Sequence, residues 1–484
     1  MNLDFTPLIP ELFIAGMACL ILVIDLYLKD SQRIVTLALS VLTLVVAAGL
    51  SISGFSTSTQ VAMNGMFVDD GFADVLKISI SLITAVVFLY SRNYALERDF
   101  FRGEYFVLGL FAVVGMFVMV SARHLLSLYL GLELLSLCLY VMVAFRRDSE
   151  WSSEAAMKYF VLGAIGSGMM LYGMSILYGL TGSLDMEEIR VAISLHPSND
   201  LVLVLGLIFV LVSMAFKLGA VPFHMWVPDV YQGAPTAATL FVSTAPKIAA
   251  FAMMIRLLAS TLGELHDAWG DMVIALSLLS IGIGNTIAIA QANLKRMLAY
   301  SAISHMGFML LGILTGMPFG YSAAMFYILV YAFVGMGGFG MIVLLSRAGF
   351  EAEELDDWKG LNKTHPWYAF LMLLLMISMA GIPPTIGFFA KLNVFQAVIE
   401  ADLVWIAVLA VLFTVIGAYY YLRVIKLMYF DDPEGEAPEI QTSMDARVLL
   451  GINACAVVLL LPFIAPIQTL CIEAVDSLAL VLTN

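Results

Sequence analysis

Apolar runs of 18 residues or more recur along the whole chain, parted by short polar stretches. Each run is long enough to cross a ~30 Å hydrocarbon core. They predict fourteen spans, at about 8–28, 34–54, 71–91, 104–121, 125–145, 155–180, 201–222, 235–257, 272–291, 297–315, 321–346, 366–399, 403–428 and 446–466. The tail after Pro466 is available to lengthen the last span. The N-terminal MNLDFTPLIPELF has acids where a signal peptide needs basic residues, so it reads as a retained first helix. The fold class is therefore an all-α integral membrane protein of about fourteen transmembrane helices, with no soluble domain attached.

The basic residues test this register. With the N-terminus outside, the inward loops carry fifteen of the 23 lysines and arginines, from Lys29 and Arg33 through Arg146, Arg147 and Lys295 to Arg447. The outward loops carry only Arg123, Arg190 and Arg256. Loops facing the cytoplasm are enriched in Lys and Arg, so the asymmetry supports the span count. An even number of spans places both termini outside. Five lysines then remain, all within spans: Lys77, Lys158, Lys217, Lys247 and Lys391.

Two spans carry proline breaks. Span 7 ends in KLGAVPF, broken at Pro222, and span 12 contains MAGIPPTIGFFAK, broken at Pro383 and Pro384. The breaks lie 161 residues apart, and spans 4 and 9 begin at a similar offset. A tandem unit of five helices must point the opposite way the second time. The chain thus divides into three leading helices (1–103), a first repeat (104–257), a second repeat (272–430) and a last helix (446–484). Broken helices at matching places in inverted halves point to a transport site. The backbone groups they free are tolerated only where protein or water lines them.

A charge at mid-membrane costs roughly 2.5–3.5 kcal/mol even on the insertion scale, so each such residue needs a reason. Glu133, in LGLELLSL, lies near the middle of span 5, and Lys247 lies midway along span 8. Lys217 precedes Pro222 by five residues, and Lys391 follows Pro384 by seven. Lys158 is four residues into span 6, where snorkelling to the surface is as good an account as function. Lys77 follows Asp69, Asp70 and Asp74, and pairing with Asp74 explains it locally. His305 lies about ten residues into span 10, and His224 follows the first break. Imidazole titrates near neutrality, and burial shifts lysine toward it. A carboxylate that holds a lysine protonated and then releases it makes a proton switch; Glu133 with Lys217 is the candidate pair.

Composition closes off the alternatives. The chain is 62% hydrophobic and only 12% charged, with a mean hydropathy of +0.97. Soluble domains carry about twice that charged fraction. A net charge of -14 argues against nucleic-acid binding. Cys19, Cys138, Cys455 and Cys471 are scattered without a CxxC pair, so no metal site, iron–sulfur cluster or disulfide framework is indicated. Gly335-Met-Gly337-Gly338-Phe-Gly340 matches a dinucleotide pattern but lies in an apolar span with no strand before it. It reads as close helix packing, like Gly312 and Gly316.

Four segments carry a family resemblance: PFHMWVPDVYQGAP at 222–235, STAPKIAAF around Lys247, NLKRMLAYSAISHMGF at 293–308 and MAGIPPTIGFFAKLNVF at 379–395. They resemble the antiporter-like membrane subunits of respiratory complex I, and the PDVYQGAP wording is similar to the N-type subunits of the bacterial enzymes. The resemblance runs from about Gly71 to Tyr429. It implies fourteen helices with two inverted five-helix repeats, helices 4–8 and 9–13, broken at 7 and 12. It places the family's functional carboxylate and lysines on Glu133, Lys158, Lys217, Lys247 and Lys391, and its central histidine on His305. It implies proton pumping coupled to NADH:quinone oxidoreduction, with FMN, iron–sulfur clusters, NADH and quinone held by partner subunits and no cofactor in this chain. The implied partners are the antiporter-like subunit M, the small membrane-arm subunits and lipid, in a bacterial inner membrane with both termini periplasmic. A cation/proton antiporter or membrane-hydrogenase subunit of the same family, a stand-alone transporter and a purely structural subunit are the rival readings.

Overall fold

The computed structural model describes residues 4–55, 59–98, 100–197, 200–347, 349–433 and 443–481. The first six crossings are α1 (Ile9–Asp25), α2 (Ile34–Gly54), α3 (Gly71–Glu97), α4 (Gly103–Val120), α5 (Leu125–Val143) and α6 (Glu150–Thr181). The seventh, α7, is split into Leu201–Leu218 and Trp226–Gly233. The eighth, α8, runs as Thr236–Val242, Ala245–Met254 and the wider-wound Ile255–Thr261. Then come α9 (His266–Ile289), α10 (Leu294–Leu314), α11 (Pro318–Leu345), the split α12 (Pro366–Ala380 and Ile386–Glu400), α13 (Val404–Phe430) and α14 (Met444–Leu459 continuing as Ile464–Val481). Among the described residues thirteen helices are long and apolar enough to cross a membrane. The halves of α12, 15 residues each, together make the fourteenth crossing.

Several boundaries differ from the sequence reading, α3 running on to Glu97 and α9 starting at His266 among them. Helix α6 begins at Glu150 because the Ser149 hydroxyl caps it, accepting from Ser152 N. Helix α8 is interrupted after Val242, where Pro246 removes a backbone donor near the restart. Helix α14 takes up the tail after Pro466, as the sequence allowed, bending about Pro462 and continuing to Val481. Its ends are pinned to those of α3: Asp445 pairs with Arg92 at 3.2 Å, and the Ser477 hydroxyl accepts from Phe72 N at 3.1 Å. It therefore runs antiparallel along α3 from one side of the bundle to the other.

Polar contacts define two ends. At the arginine-rich end, Arg33 donates to Phe101 O, Arg98 pairs with Glu351, and Arg423 donates to Ile289 O and Gln291 O. At the opposite end a short hairpin pairs Gln60–Ala62 with Phe67–Asp69, and Arg123 pairs with Asp185. Helix α7 breaks 18 residues, about 27 Å, after leaving that opposite end. Helix α12 breaks 15 residues, about 22 Å, after leaving the arginine-rich end. The second break is thus the inverted image of the first. The close crossings repeat as well. A Cβ on Gly115 would meet Gly131 O at 2.7 Å between α4 and α5, and one on Gly284 would meet Tyr300 O at 2.9 Å between α9 and α10.

Gly337, Gly338 and Gly340 pack as expected, against Asn453, Met379 and Tyr90. Gly316 does not belong to α10; it takes φ +68 in the following turn, where a side chain would strike His266.

Two basic residues assigned to loops are buried instead. Arg256, on the wider-wound turn of α8, forks onto Asp70 at 2.7 and 2.9 Å. Lys295, on α10, donates to Gln232 O and Ala234 O at 2.9 and 3.0 Å. Lys77 also departs from its expected account. It is fully buried, and its Nζ lies 2.9 Å from Glu11 of α1 and 3.4 Å from Asp69. The chain before α3 folds over it, so the nearer charges come from outside its own helix.

Removing one partner of a buried pair costs about 3–5 kcal/mol, whereas an exposed pair contributes about 0–1 kcal/mol. Glu11→Gln is expected to lower the melting temperature of the purified protein clearly, and Glu154→Gln, whose side chain is 59% exposed, to leave it nearly unchanged. Equal melting of the two variants would refute this account of α1 anchoring.

Candidate functional site

The first half of α7 ends at Leu218, and Gly219 closes it at φ +76. A helix end leaves carbonyls without intrahelical partners, and these carry the negative end of the helix dipole. Lys247 of α8 answers them. Its Nζ lies 2.8 Å from Leu218 O and 3.5 Å from Lys217 O, and 5.2 Å from the centroid of the Trp226 ring. The side chain is buried.

The first half of α12 ends in the same way at Ala380, with Gly381 at φ +79. Lys391 Nζ lies 2.9 Å from Ala380 O and 3.3 Å from Met379 O, with the Phe308 ring 4.9 Å away. Two buried ammonium groups thus occupy one kind of site, built twice: a pair of helix-terminal carbonyls below and an aromatic face beside. The sequence matched Lys391 with Lys217 by distance from the prolines. The geometry matches it with Lys247 instead. The position two residues before the second glycine, where Lys217 stands before the first, is Met379.

Lys217 sits on the same half-helix end but points to α5 and α6. Its Nζ donates to Ser136 Oγ at 2.8 Å and approaches Ser167 Oγ at 3.4 Å. Ser136 in turn donates to Leu132 O at 2.7 Å. Glu133 is one residue past Leu132 and three before Ser136, so it lies one helical turn from the hydroxyl. Its Oε1 is buried without a hydrogen-bond partner among the described residues. Glu133 and Lys217 are thus brought to one site, where Lys217 meets Ser136 directly and Glu133 lies one helical turn from it.

His305 lies beside the second break. Its Nδ1 is 2.7 Å from the Tyr327 hydroxyl and its Nε2 is 3.1 Å from the Tyr421 hydroxyl, which also meets Ser301. A cavity of about 20 Å³ opens between His305, Tyr327, Met379 and Ala390. That suffices for one water, and it lies beside the carbonyl that Lys391 holds. His224 follows the first break, with its ring 6.4 Å from that of Tyr300 and its Nδ1 buried without a partner among the described residues.

Lys158 stands apart. Its side chain is 43% exposed, and its Nζ lies 2.8 Å from both Glu154 and Asp229. Asp229 also takes Arg296 at 2.7 Å. The earlier start of α6 sets Lys158 two turns into the helix, on an outer face, within reach of the second half of α7. It therefore belongs to a surface ion-pair chain rather than to either buried site. Sequence reasoning missed Ser136, Ser167, Tyr327, Tyr421 and Lys295. Only Ser136 had a signal, its helical spacing from Glu133; the tyrosines are ordinary in an apolar helix until the fold brings them to His305.

The family described as "NADH:quinone oxidoreductase/Mrp antiporter, TM" matches residues 122–417. The chain is 59% identical to NADH-quinone oxidoreductase subunit N of Thioalkalivibrio sulfidiphilus, covering 94% of this chain and 95% of that one. It is 57% identical to the subunit of the same name from Thiobacillus denitrificans, over 98% of each. Its fold is similar to a chain of respiratory complex I from Thermus thermophilus with bound aureothin, at TM-score 0.82 and 29% identity, covering 95% and 99% of the two chains. It is also similar to a chain of the Mrp complex from Dietzia sp., at TM-score 0.84, 20% identity and 99% and 98% coverage, a likeness of fold alone.

A Cβ on Gly381 would lie 2.7 Å from Lys391 Cδ and 3.1 Å from its Nζ, on a backbone with positive φ. A residue held in such a conformation is strained by about 1–3 kcal/mol. Gly381→Ala is expected to lower the melting temperature, and Gly168→Ala, with nothing within 4 Å of its added carbon, to leave it unchanged or slightly raised. Unchanged melting in both would contradict the close fit at the second break.

Proposed function

The chain belongs to the NADH:quinone oxidoreductase/Mrp antiporter family of membrane proteins, and from that membership we propose how protons pass through it. It is a multi-pass, proton-translocating subunit in the membrane arm of an NADH–quinone oxidoreductase, seated among other antiporter-like and small membrane subunits. Charge displacement reaching Glu133 from a neighbouring subunit alters the field at Ser136 and Lys217. Lys217 and Lys247 share one half-helix end, because Lys247 caps the carbonyl of Lys217 itself. A change in the first ammonium therefore alters the site of the second. Protons then pass, with His224 at the break, by Lys247 and His305 to Lys391. Lys158, paired at the surface, positions the second half of α7 through Asp229.

The observation that carries this reading is the pair of ammonium-capped helix breaks, one in each inverted half. A capped break is stable while the lysine is protonated. When the proton leaves, the amine still donates to the carbonyls but more weakly and without charge, which favours reloading. The work required is substantial: each charge moved against the membrane potential takes about 2.3 kcal/mol per 100 mV.

The excess of arginine and lysine at one end supports placing that end in the cytoplasm and both termini in the periplasm of a bacterial inner membrane. FMN, iron–sulfur clusters, NADH and quinone are assigned to partner subunits in this reading.

Ser136→Ala tests the switch. A buried charged donor that loses its acceptor is destabilised by about 1–3 kcal/mol, and RT ln 10 is about 1.4 kcal/mol. NADH-driven proton uptake by inverted membrane vesicles is expected to fall about tenfold. Ser167→Ala, at the longer contact, should have a smaller effect. Full proton uptake in assembled Ser136→Ala complex would remove Ser136 from the pathway. Lys217→Ala in the same assay separates a relay from a structural role: normal assembly with a normal proton-to-electron ratio would overturn the relay.

A further inference from the structure

A cavity lies outside both buried sites. It measures about 830 Å³ and opens at the arginine-rich end, where α4 begins, α5 ends and α6 begins. We propose that it binds an anionic phospholipid, with the phosphate among its arginines and the acyl chains along α5 and α6. The proposal is independent of the proton pathway.

Four arginines line the cavity against two carboxylates, Glu104 and Asp148. Arg147 is 84% exposed and reaches Asp148 only at 4.0 Å. Arg146 reaches Glu351 only at 3.8 Å, and Arg102 is exposed at the mouth. Among the described residues their charge is therefore little neutralised, in a chain whose net charge is -14. Arg98 is different. Its side chain is 5% exposed, held by Glu351 at 2.7 Å and by Arg347 O and Phe350 O. Its Nη1 is buried and has no hydrogen-bond partner among the described residues. Arg98 is therefore part of the cavity wall, and the guanidinium groups open to a ligand are those of Arg102, Arg146 and Arg147, whose forked donors match a phosphate.

The remaining wall is apolar. Val141 on the last turn of α5 and Met157 and Phe160 on α6 are 50%, 62% and 49% exposed. Phe160 is ten residues into α6, about 15 Å below the helix start at 1.5 Å per residue. Charge at the helix ends over an exposed apolar wall at acyl depth matches a phospholipid and no soluble anion. Basic pockets between helices on the cytoplasmic side suit anionic lipid headgroups, and the volume falls in the range of sites that bury small amphiphiles.

The test uses the whole purified complex, exchanged into phosphatidylcholine vesicles containing phosphatidylglycerol, re-extracted, and its retained phospholipid counted by mass. Wild-type complex is expected to keep at least one phosphatidylglycerol per complex more than the Arg102→Gln/Arg147→Gln variant, with phosphatidylcholine retention unchanged. Arg147→Gln alone, at a side chain with no packing role, covers failure of the double variant to assemble and should lower retention in the same direction. Millimolar inorganic phosphate should not displace the lipid. Equal phosphatidylglycerol counts in wild type and Arg147→Gln would overturn the proposal. So would displacement by inorganic phosphate, or a photocrosslinker at position 147 that captures an acidic segment of a neighbouring subunit instead of lipid.

Discussion

A helix that stops inside a membrane leaves carbonyl oxygens with no water to satisfy them. That constraint organises the centre of this structure. At both breaks the carbonyls are met by a lysine ammonium, which is itself too costly to bury without acceptors. Each defect removes the penalty of the other. Lys247 closes the end of α7 and Lys391 the end of α12, at contacts of 2.8 and 2.9 Å. Glycine in the left-handed region turns the chain away just beyond, leaving room for the ammonium. The arrangement is held more strongly in one protonation state than in the other, which is the property the proposed proton-loading role uses.

The two caps are alike in acceptors and in their aromatic neighbour but differ in what feeds them. Lys391 arises from the second half of its own broken helix and has His305, Tyr327 and Tyr421 nearby. Lys247 comes from the next helix, and one of its acceptors is the backbone carbonyl of Lys217. The lysine toward Glu133 therefore has no counterpart in the second half, where Met379 takes its place. The first half carries Glu133 beside its lysines, and the second half carries His305 beside Lys391. This asymmetry within a symmetric frame suits a subunit that receives a signal on one side and passes protons on the other.

Much of the frame was legible in the sequence. Length and hydropathy alone place the crossings, because a membrane helix must be apolar for some 20 residues. Lys217, Lys247 and Lys391 stood out because a charge there needs a reason. What stayed hidden depends on contacts between distant segments. Glu11, near the chain start, reads as an acid at a helix end until α1 brings it to Lys77. Lys295 and Arg256 count as loop charges until α10 and α8 carry them into the interior. The interruption of α8 was missed because Ser243 and Thr244 are small and the flanking residues apolar, so hydropathy runs on through it. Lys158 lies within a span and on an outer face, where Asp229 and Glu154 pair with it, the surface placement that the sequence left open.

The central claim is that the same two lysines hold the broken helices together and carry the protons. Its most direct test is the proton-to-electron ratio of the assembled complex in sealed vesicles, with Lys247 or Lys391 replaced by methionine. Methionine keeps much of the side-chain volume and removes the charge. The account predicts that each variant assembles with a lower melting temperature and pumps fewer protons per NADH oxidised, the deficit matching this subunit's share. A variant that melts lower but pumps at the full ratio would contradict it, leaving the lysines as caps alone.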